Sequence, residues 1–215
     1  MGKMARVRAV LLLGPPGSGK TPLGEYLAGQ KFSAGSVFHF DFGQQLRDLL
    51  KNGAQRGFRP EEIKRVEEAV KQARLFEKED KELVKKILAD FVKRHSLQPG
   101  DWLVLNGLPR HLAQAVWVSE LVEIKLVVHL LCPLEISQKR IASGFLEDRS
   151  GRSDDSPETI AARYQTYLDR TVPLVNFFRE REIPVVELLV WENTNPAALW
   201  QQLRSQESFK NVVST

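Results

Sequence analysis

The chain has 215 residues, a formal net charge of +4 and one cysteine. That length suits a single domain with room for an inserted subdomain. One cysteine excludes an intrachain disulfide and any multi-cysteine zinc site. The mild positive balance fits small polyphosphates as well as nucleic acid, and no basic stripe interleaved with aromatics marks a nucleic-acid surface.

The N-terminus "MGKMARVRAVLLLG" places basic residues before an apolar run. The run is too short to span a membrane and passes straight into a glycine loop, so it reads as a first strand and not as a signal peptide. A soluble, cytoplasmic, monomeric protein with no membrane or nucleic-acid partner is the expectation. Four further apolar runs follow: "SVFHF", "DWLVLN", "KLVVHLL" and "IPVVELLV". Little polar alternation in such runs is expected of parallel strands covered on both faces. Helical stretches separate them, at Pro22 to Gln30, Gln44 to Lys51, Pro60 to His95, His111 to Glu123, Leu134 to Ala142, Pro157 to Arg181 and Pro196 to about Ser205. The pattern predicts an α/β fold: a doubly wound, parallel, five-stranded sheet with helices on both faces.

The spacing is uneven. Roughly sixty residues separate the second and third strands, far more than one crossover needs. They predict an inserted helical region at about 42–95 within the single domain 1–215. A polar, glycine-bearing break, "SGFLEDRSGRSDDSPE", predicts a short lid at about 143–156. Cys132, in "LVVHLLCPL", reads as a buried structural thiol. The tail "ESFKNVVST" reads as frayed.

"GPPGSGKT", from Gly14 to Thr21, fits the phosphate-loop pattern and stands between a strand and a helix, as that pattern requires. Gly14, Gly17, Ser18 and Gly19 let successive N–H groups turn toward phosphate oxygens. Lys20 adds a point charge, and the Thr21 hydroxyl can take a Mg2+ position. Pro22 falls in the helix's first turn, where a missing N–H costs little. ATP and Mg2+ are the cofactors this loop implies.

"LNGLPRHLAQA" and "FHFDFGQQLR" then carry a resemblance. The first is similar to the D-G-[FY]-P-R segment of adenylate kinases and related nucleoside monophosphate kinases, with Arg110 at the arginine and Gln114 four residues on. The second resembles their H-x-S-T-G-D-x-L-R stretch, keeping His39, Gly43, Leu46 and Arg47. Gly151, Arg152, Asp154, Asp155, Glu158 and Arg163 match G-R-x-D-D-x-x-E-x-x-x-x-R, and Arg140 stands at the arginine leading into the lid. The motifs follow the family order across nearly the whole chain.

The resemblance implies that Arg47 and Arg110 hold the acceptor's α-phosphate, with Gly107 and Phe42 beside the acceptor and Gln114 on its base. Arg140 would lie against the donor's base, and Arg152 and Arg163 would clamp the transferring phosphoryl group. Asp154 and Asp155 would serve as hinge or lid-closing partners. Independent chemistry agrees, because bringing two polyphosphates together demands many well-placed cations, and arginine forks bind phosphate oxygens in pairs.

Four positions named here depart from the family pattern. Its strand-end aspartate is Asn106, and its Ser-Thr pair is Asp41-Phe42. Magnesium favours anionic oxygen, so Asp41 either replaces the missing ligand from the neighbouring strand or accepts a proton from a hydroxyl on a different acceptor. Gly144 stands where a second lid arginine is often found. The leading expectation is transfer of the ATP γ-phosphoryl to AMP. A P-loop kinase of another small acceptor and a degenerate nucleotide-binding module are the alternatives.

Overall fold

A computed structural model describes residues 6–33, 35–144 and 156–214. Five parallel strands form the sheet predicted from the apolar runs: β1 (Val7–Leu13), β3 (Gly35–Asp41), β4 (Trp102–Asn106), β5 (Val122–Leu131) and β6 (Val185–Leu189). A sixth strand, β2 (Lys31–Phe32), pairs antiparallel with β3 at the edge, giving the order β2-β3-β4-β1-β5-β6. Two residues are too few to show a period, so the sequence pattern predicts five strands and misses this one.

Alternation along β1 explains the layers. Ala9, Leu11 and Leu13 point into one core with α2 (Phe42–Asn52), α4 (Lys81–Arg94), α5 (Leu112–Val118) and α8 (Pro173–Arg179). Val10 and Leu12 point into the other, with α1 (Lys20–Ala28), α9 (Pro196–Ser205) and α10 (Glu207–Val213). Each fully buried leucine in these layers contributes about 1.5–3 kcal/mol by transfer from water. α1 presses onto β3 at Gly24, where a Cβ would stand 2.2 Å from His39 Nε2.

Several helices differ from their predicted bounds. The stretch 60–95 divides into α3 (Pro60–Lys71), a single 3-10 turn at Lys78–Asp80, and α4. The helix predicted to run to Glu123 stops at Val118, because Val122 and Glu123 already belong to β5. The stretch 157–181 divides into α7 (Pro157–Thr166), a widened turn at Tyr167–Thr171 closed by Val172 N–H on Tyr167 O, and α8. α6 (Leu134–Ala142) is as predicted. The tail is not frayed: α10 runs to Val213, and buried Phe209 packs edge-on against Phe32 and Trp200. Cys132 is buried, and burial pushes its thiol up to about 11. Among the described residues no helix is long and apolar enough to cross a membrane.

Candidate active site

β1 ends at Leu13 and the chain turns at once into the glycine loop. Gly17 and Gly19 have φ of 71° and 89°, the left-handed region that side chains disfavour. At Gly17 a Cβ would also come within 2.9 Å of Ser137 O on α6. Lys20 Nζ donates to Gly14 O at 2.8 Å and to Pro15 O at 2.7 Å, so the ammonium already stands inside the curl of the loop. Ser18 is fully buried and donates to Pro15 O, and Pro22 is buried in the first turn of α1. Both shape the loop from beneath.

α6 braces the loop from outside. Ser137 Oγ donates to Pro16 O, and Arg140 Nε donates to Gly17 O at 2.9 Å. Arg140 Nη1 donates to Trp191 O and Glu192 O, both at 2.8 Å. The Arg140 residue is 3% exposed. Its guanidinium therefore ties the phosphate loop to the segment after β6, a task that the resemblance does not assign to it.

The departures noted in the sequence converge in space. The register pairs Asp41 with Asn106 at the C-terminal ends of β3 and β4. Asp41 Oδ2 accepts from Thr21 Oγ1 and from Asn106 Nδ2, each at 2.7 Å, and Asn106 Nδ2 lies 2.9 Å from Thr21 Oγ1. The other carboxylate oxygen accepts the Gln44 N–H at 2.8 Å and caps α2. One aspartate thus orients a helix and faces the phosphate loop.

Across a cavity of about 600 Å³ stand the arginines. Arg47, on α2, donates to Gln44 Oε1 at 2.8 Å. Arg110 follows the turn at Gly107, and Thr171 Oγ1 donates to its carbonyl at 2.9 Å. Burial, and then the nearby Arg163 guanidinium on α7, push the Arg110 guanidinium below the ordinary arginine value. Both residues line the cavity, and two guanidinium groups near enough to act on one another suit an anion. Phe42 is 5% exposed and packs against the rings of Phe40 and Phe76. Gln114, 1% exposed, accepts the Arg110 N–H at 2.8 Å and donates to Phe76 O at 3.0 Å.

Of the residues singled out in the sequence, Gly14, Gly17, Gly19, Lys20, Thr21, Asp41, Phe42, Arg47, Gly107, Arg110, Gln114 and Arg163 line this one cavity. Arg140, Ser18 and Pro22 support it from behind. Arg152, with Asp154, Asp155 and most of the expected lid, lies outside the described residues. Tyr167 and Thr171 also line the cavity and were not singled out. Their spacing from Arg163, four and eight residues, is the helical period that places all three on one face, and it could have found them.

The sequence model of the adenylate kinase family matches residues 12–183. Adenylate kinase of Synechococcus sp. (strain RCC307) is 31% identical over 173 residues, covering 80% of this chain and 85% of the relative. Adenylate kinase of Xylella fastidiosa (strain M12) is 30% identical over 179 residues, covering 81% and 87%. That of Prochlorococcus marinus (strain MIT 9301) is 29% identical over 176 residues, covering 80% and 84%. The matched span includes the phosphate loop, the strand ends and Arg47, Arg110 and Arg163 of the cavity, and the chain belongs to the adenylate kinase family, ATP-dependent phosphotransferases of the nucleoside monophosphate kinase type.

Proposed function

We propose that the protein transfers the γ-phosphoryl of ATP to AMP, giving two ADP, with site residues divided between a donor side and an acceptor side of the one cavity. The observation that carries this reading is that Arg110 and Arg163, near enough to act on one another, line one cavity with the phosphate loop and Lys20, an arrangement of cations that suits a polyphosphate. On the donor side the N–H groups of the loop from Gly14 to Gly19 and the N-terminus of α1 hold the β- and γ-phosphates. Lys20 leaves its carbonyl partners to follow charge on the bridging oxygen. On the acceptor side Arg47 and Arg110 hold the α-phosphate of AMP, one of whose oxygens attacks the γ-phosphorus in line. The bond to the β-phosphate oxygen breaks as the new one forms, and Arg163 stabilises the equatorial oxygens in between. Arg152 would join Arg163 in that clamp, as the family motif implies, within a lid at about 143–156. The insert at about 42–95 is the acceptor-binding region in this reading.

The donor set at the strand ends suits magnesium. Asp41 Oδ2 and Thr21 Oγ1 are hard oxygens 2.7 Å apart on the side of the phosphate loop. They would hold the ion, with Asn106 orienting the carboxylate through its amide N–H. Among the described residues no group of three His, Cys, Asp or Glu gathers to hold a metal unaided, which suits an ion shared with phosphate and water. When bound, magnesium neutralises charge developing on the β- and γ-oxygens.

The reading also carries a monomer working on small nucleotides in the cytoplasm, without nucleic-acid partners. ADP formation from ATP, measured against a panel of nucleoside monophosphates and small hydroxyl acceptors, tests it. Turnover with AMP and inhibition by two adenosines joined through a pentaphosphate are expected. Turnover only with a hydroxyl acceptor, or ATP binding without turnover, overturns it.

A further inference from the structure

Between α7 and α8 the helix widens for one turn, at Tyr167–Thr171, where Val172 N–H bonds the Tyr167 carbonyl. Widened turns recur at functional sites, because they swing side chains off the α-helical period. Both ends of this one are fastened beside the cavity. Tyr167, 5% exposed, lines the cavity, and its hydroxyl lies 2.6 Å from His129 Nε2. Glu187 stands 3.7 Å from Nδ1 and favours the proton there, so Nε2 accepts from the Tyr167 O–H. His129 is in register with Leu13, where β1 enters the phosphate loop. Thr171, also buried, lines the same cavity and donates from Oγ1 to Arg110 O at 2.9 Å. One turn of helix is thus tied both to the strand beside the phosphate loop and to the backbone of Arg110.

Arg163 stands four residues before Tyr167 on α7, lines the cavity and is near enough to act on the Arg110 guanidinium. In an unbroken α-helix, positions four apart drift round the axis by about 40° at each step. The wider turn reverses that drift between Tyr167 and Thr171, which returns Thr171 to the face of Arg163. We infer that the widened turn is the positioning element for Arg163: the Tyr167 and Thr171 hydroxyls hold that guanidinium in place between the phosphate loop and Arg110. The inference rests on the kinase reading, in which Arg163 stabilises the transferring group, and it makes Tyr167 and Thr171 positioning residues that act through the arginine. A displaced guanidinium loses paired contacts with equatorial oxygens that exist only in the transition state. The loss therefore falls on kcat and spares ground-state affinity. Arg170, in the same turn, pairs with Glu77 at 2.8 Å, but both side chains are nearly half exposed, and such a pair contributes little.

Initial rates across ATP and AMP concentrations, recorded well below each variant's thermal midpoint, test this. Y167F and T171V should each lower kcat about 10-fold, with either KM moving less than about threefold. T171S restores a hydroxyl and should recover kcat to within about threefold. R170Q breaks the exposed pair of the same turn and should stay within about twofold. In an R163K background, Y167F and T171V should each cost less than about threefold, because the fork that they position is already gone. Losses that persist in full in that background, or an R170Q loss as large as that of Y167F, overturn the inference and leave the kinase reading standing. Unchanged kcat in T171V overturns it as well, and the Thr171 variants decide even if Y167F fails to fold. Absence of turnover with every nucleoside monophosphate in the unaltered enzyme overturns the kinase reading and the inference with it.

Discussion

The phosphate loop offers the cavity mostly backbone, while the wall formed by Phe42, Arg47, Arg110 and Gln114 offers side chains, so in the proposed reading the donor and acceptor sides tolerate substitution differently. The phosphate loop holds its shape through glycine conformations and through carbonyls that grip Lys20, Ser137 and Arg140. Its pattern is therefore tied to position, and this chain keeps it. The proposed acceptor side would depend on which atoms of Phe42, Arg47, Arg110 and Gln114 are turned toward the cavity. There the residue types of the family motif largely persist, and the Gln114 amide holds the Arg110 N–H and Phe76 O.

The largest expected effect tests the donor half of that contrast. Lys20→Met removes the charge that follows the bridging oxygen and should lower kcat about 10³-fold. ATP affinity, measured by equilibrium titration, should fall far less, since the loop N–H groups remain. A large loss of affinity with little loss of kcat would mean that the ammonium anchors ground-state ATP, and the donor side would then rely on a side chain as much as the acceptor side does.

The same contrast explains what was legible in the sequence. The five parallel strands came from apolar runs long enough to declare themselves, and the phosphate loop from a spacing that has a mechanical cause. Two-residue β2 and the polar-looking α10 were not legible, because pairing with β3 and burial of Phe209 against Phe32 and Trp200 are tertiary facts. Asp41 and Asn106 could be flagged as departures, but only the parallel register brings the two side chains to 2.7 Å. Arg140 could be matched to a motif, but not seen to bond Gly17, Trp191 and Glu192. Residue identity was readable, and the choice of bonding partner was not.

On the acceptor side, Arg110→Lys should lower kcat/KM for AMP about 100-fold, since an ammonium cannot supply a paired fork and a desolvated position magnifies the loss. Arg47→Lys, at an exposed position, should cost about tenfold, the worth of one charge-assisted hydrogen bond. Initial rates across AMP concentrations measure both. Equal losses would remove the gradient in burial as the reason for their difference. They would also mean that the two arginines grip as one unit.

Asp41 and Asn106 lie where the two sides meet, and exchanging them should have an intermediate effect. Asp41→Asn should raise the magnesium concentration for half-maximal rate about 10-fold or more. Asn106→Asp alone sets two carboxylates side by side, each raising the other's proton affinity. Combining the substitutions returns one carboxylate and one amide to the pair, and magnesium dependence should move back toward that of the unaltered enzyme. Double-mutant analysis of the magnesium titrations checks this. Additive losses without rescue would argue that Asp41 acts on the acceptor or as the α2 cap, and not on the metal.

The smallest effect lies behind the donor side. His129, on β5, is in register with Leu13, the residue that enters the phosphate loop. Its Nε2 is 2.6 Å from the Tyr167 hydroxyl, and Nδ1 is 3.7 Å from Glu187, which pairs with Arg179 at 2.9 Å. Burial holds this imidazole below its ordinary 6.5 against the pull of Glu187, with Arg179 and Lys20 lowering it further. The unfolded chain therefore binds the proton more readily than the folded one. Stability from His129 is full above pH 6.5 and is lost as the pH falls below that value toward the folded-state pKa. Thermal midpoints recorded from about pH 7.5 down to about pH 5 should decline in the unaltered protein and decline less steeply in His129→Gln, whose amide can still meet Tyr167 but cannot titrate. An equal slope in both would assign the acid sensitivity to His39 or His95, which burial also lowers, and would leave the support of the phosphate loop independent of protonation.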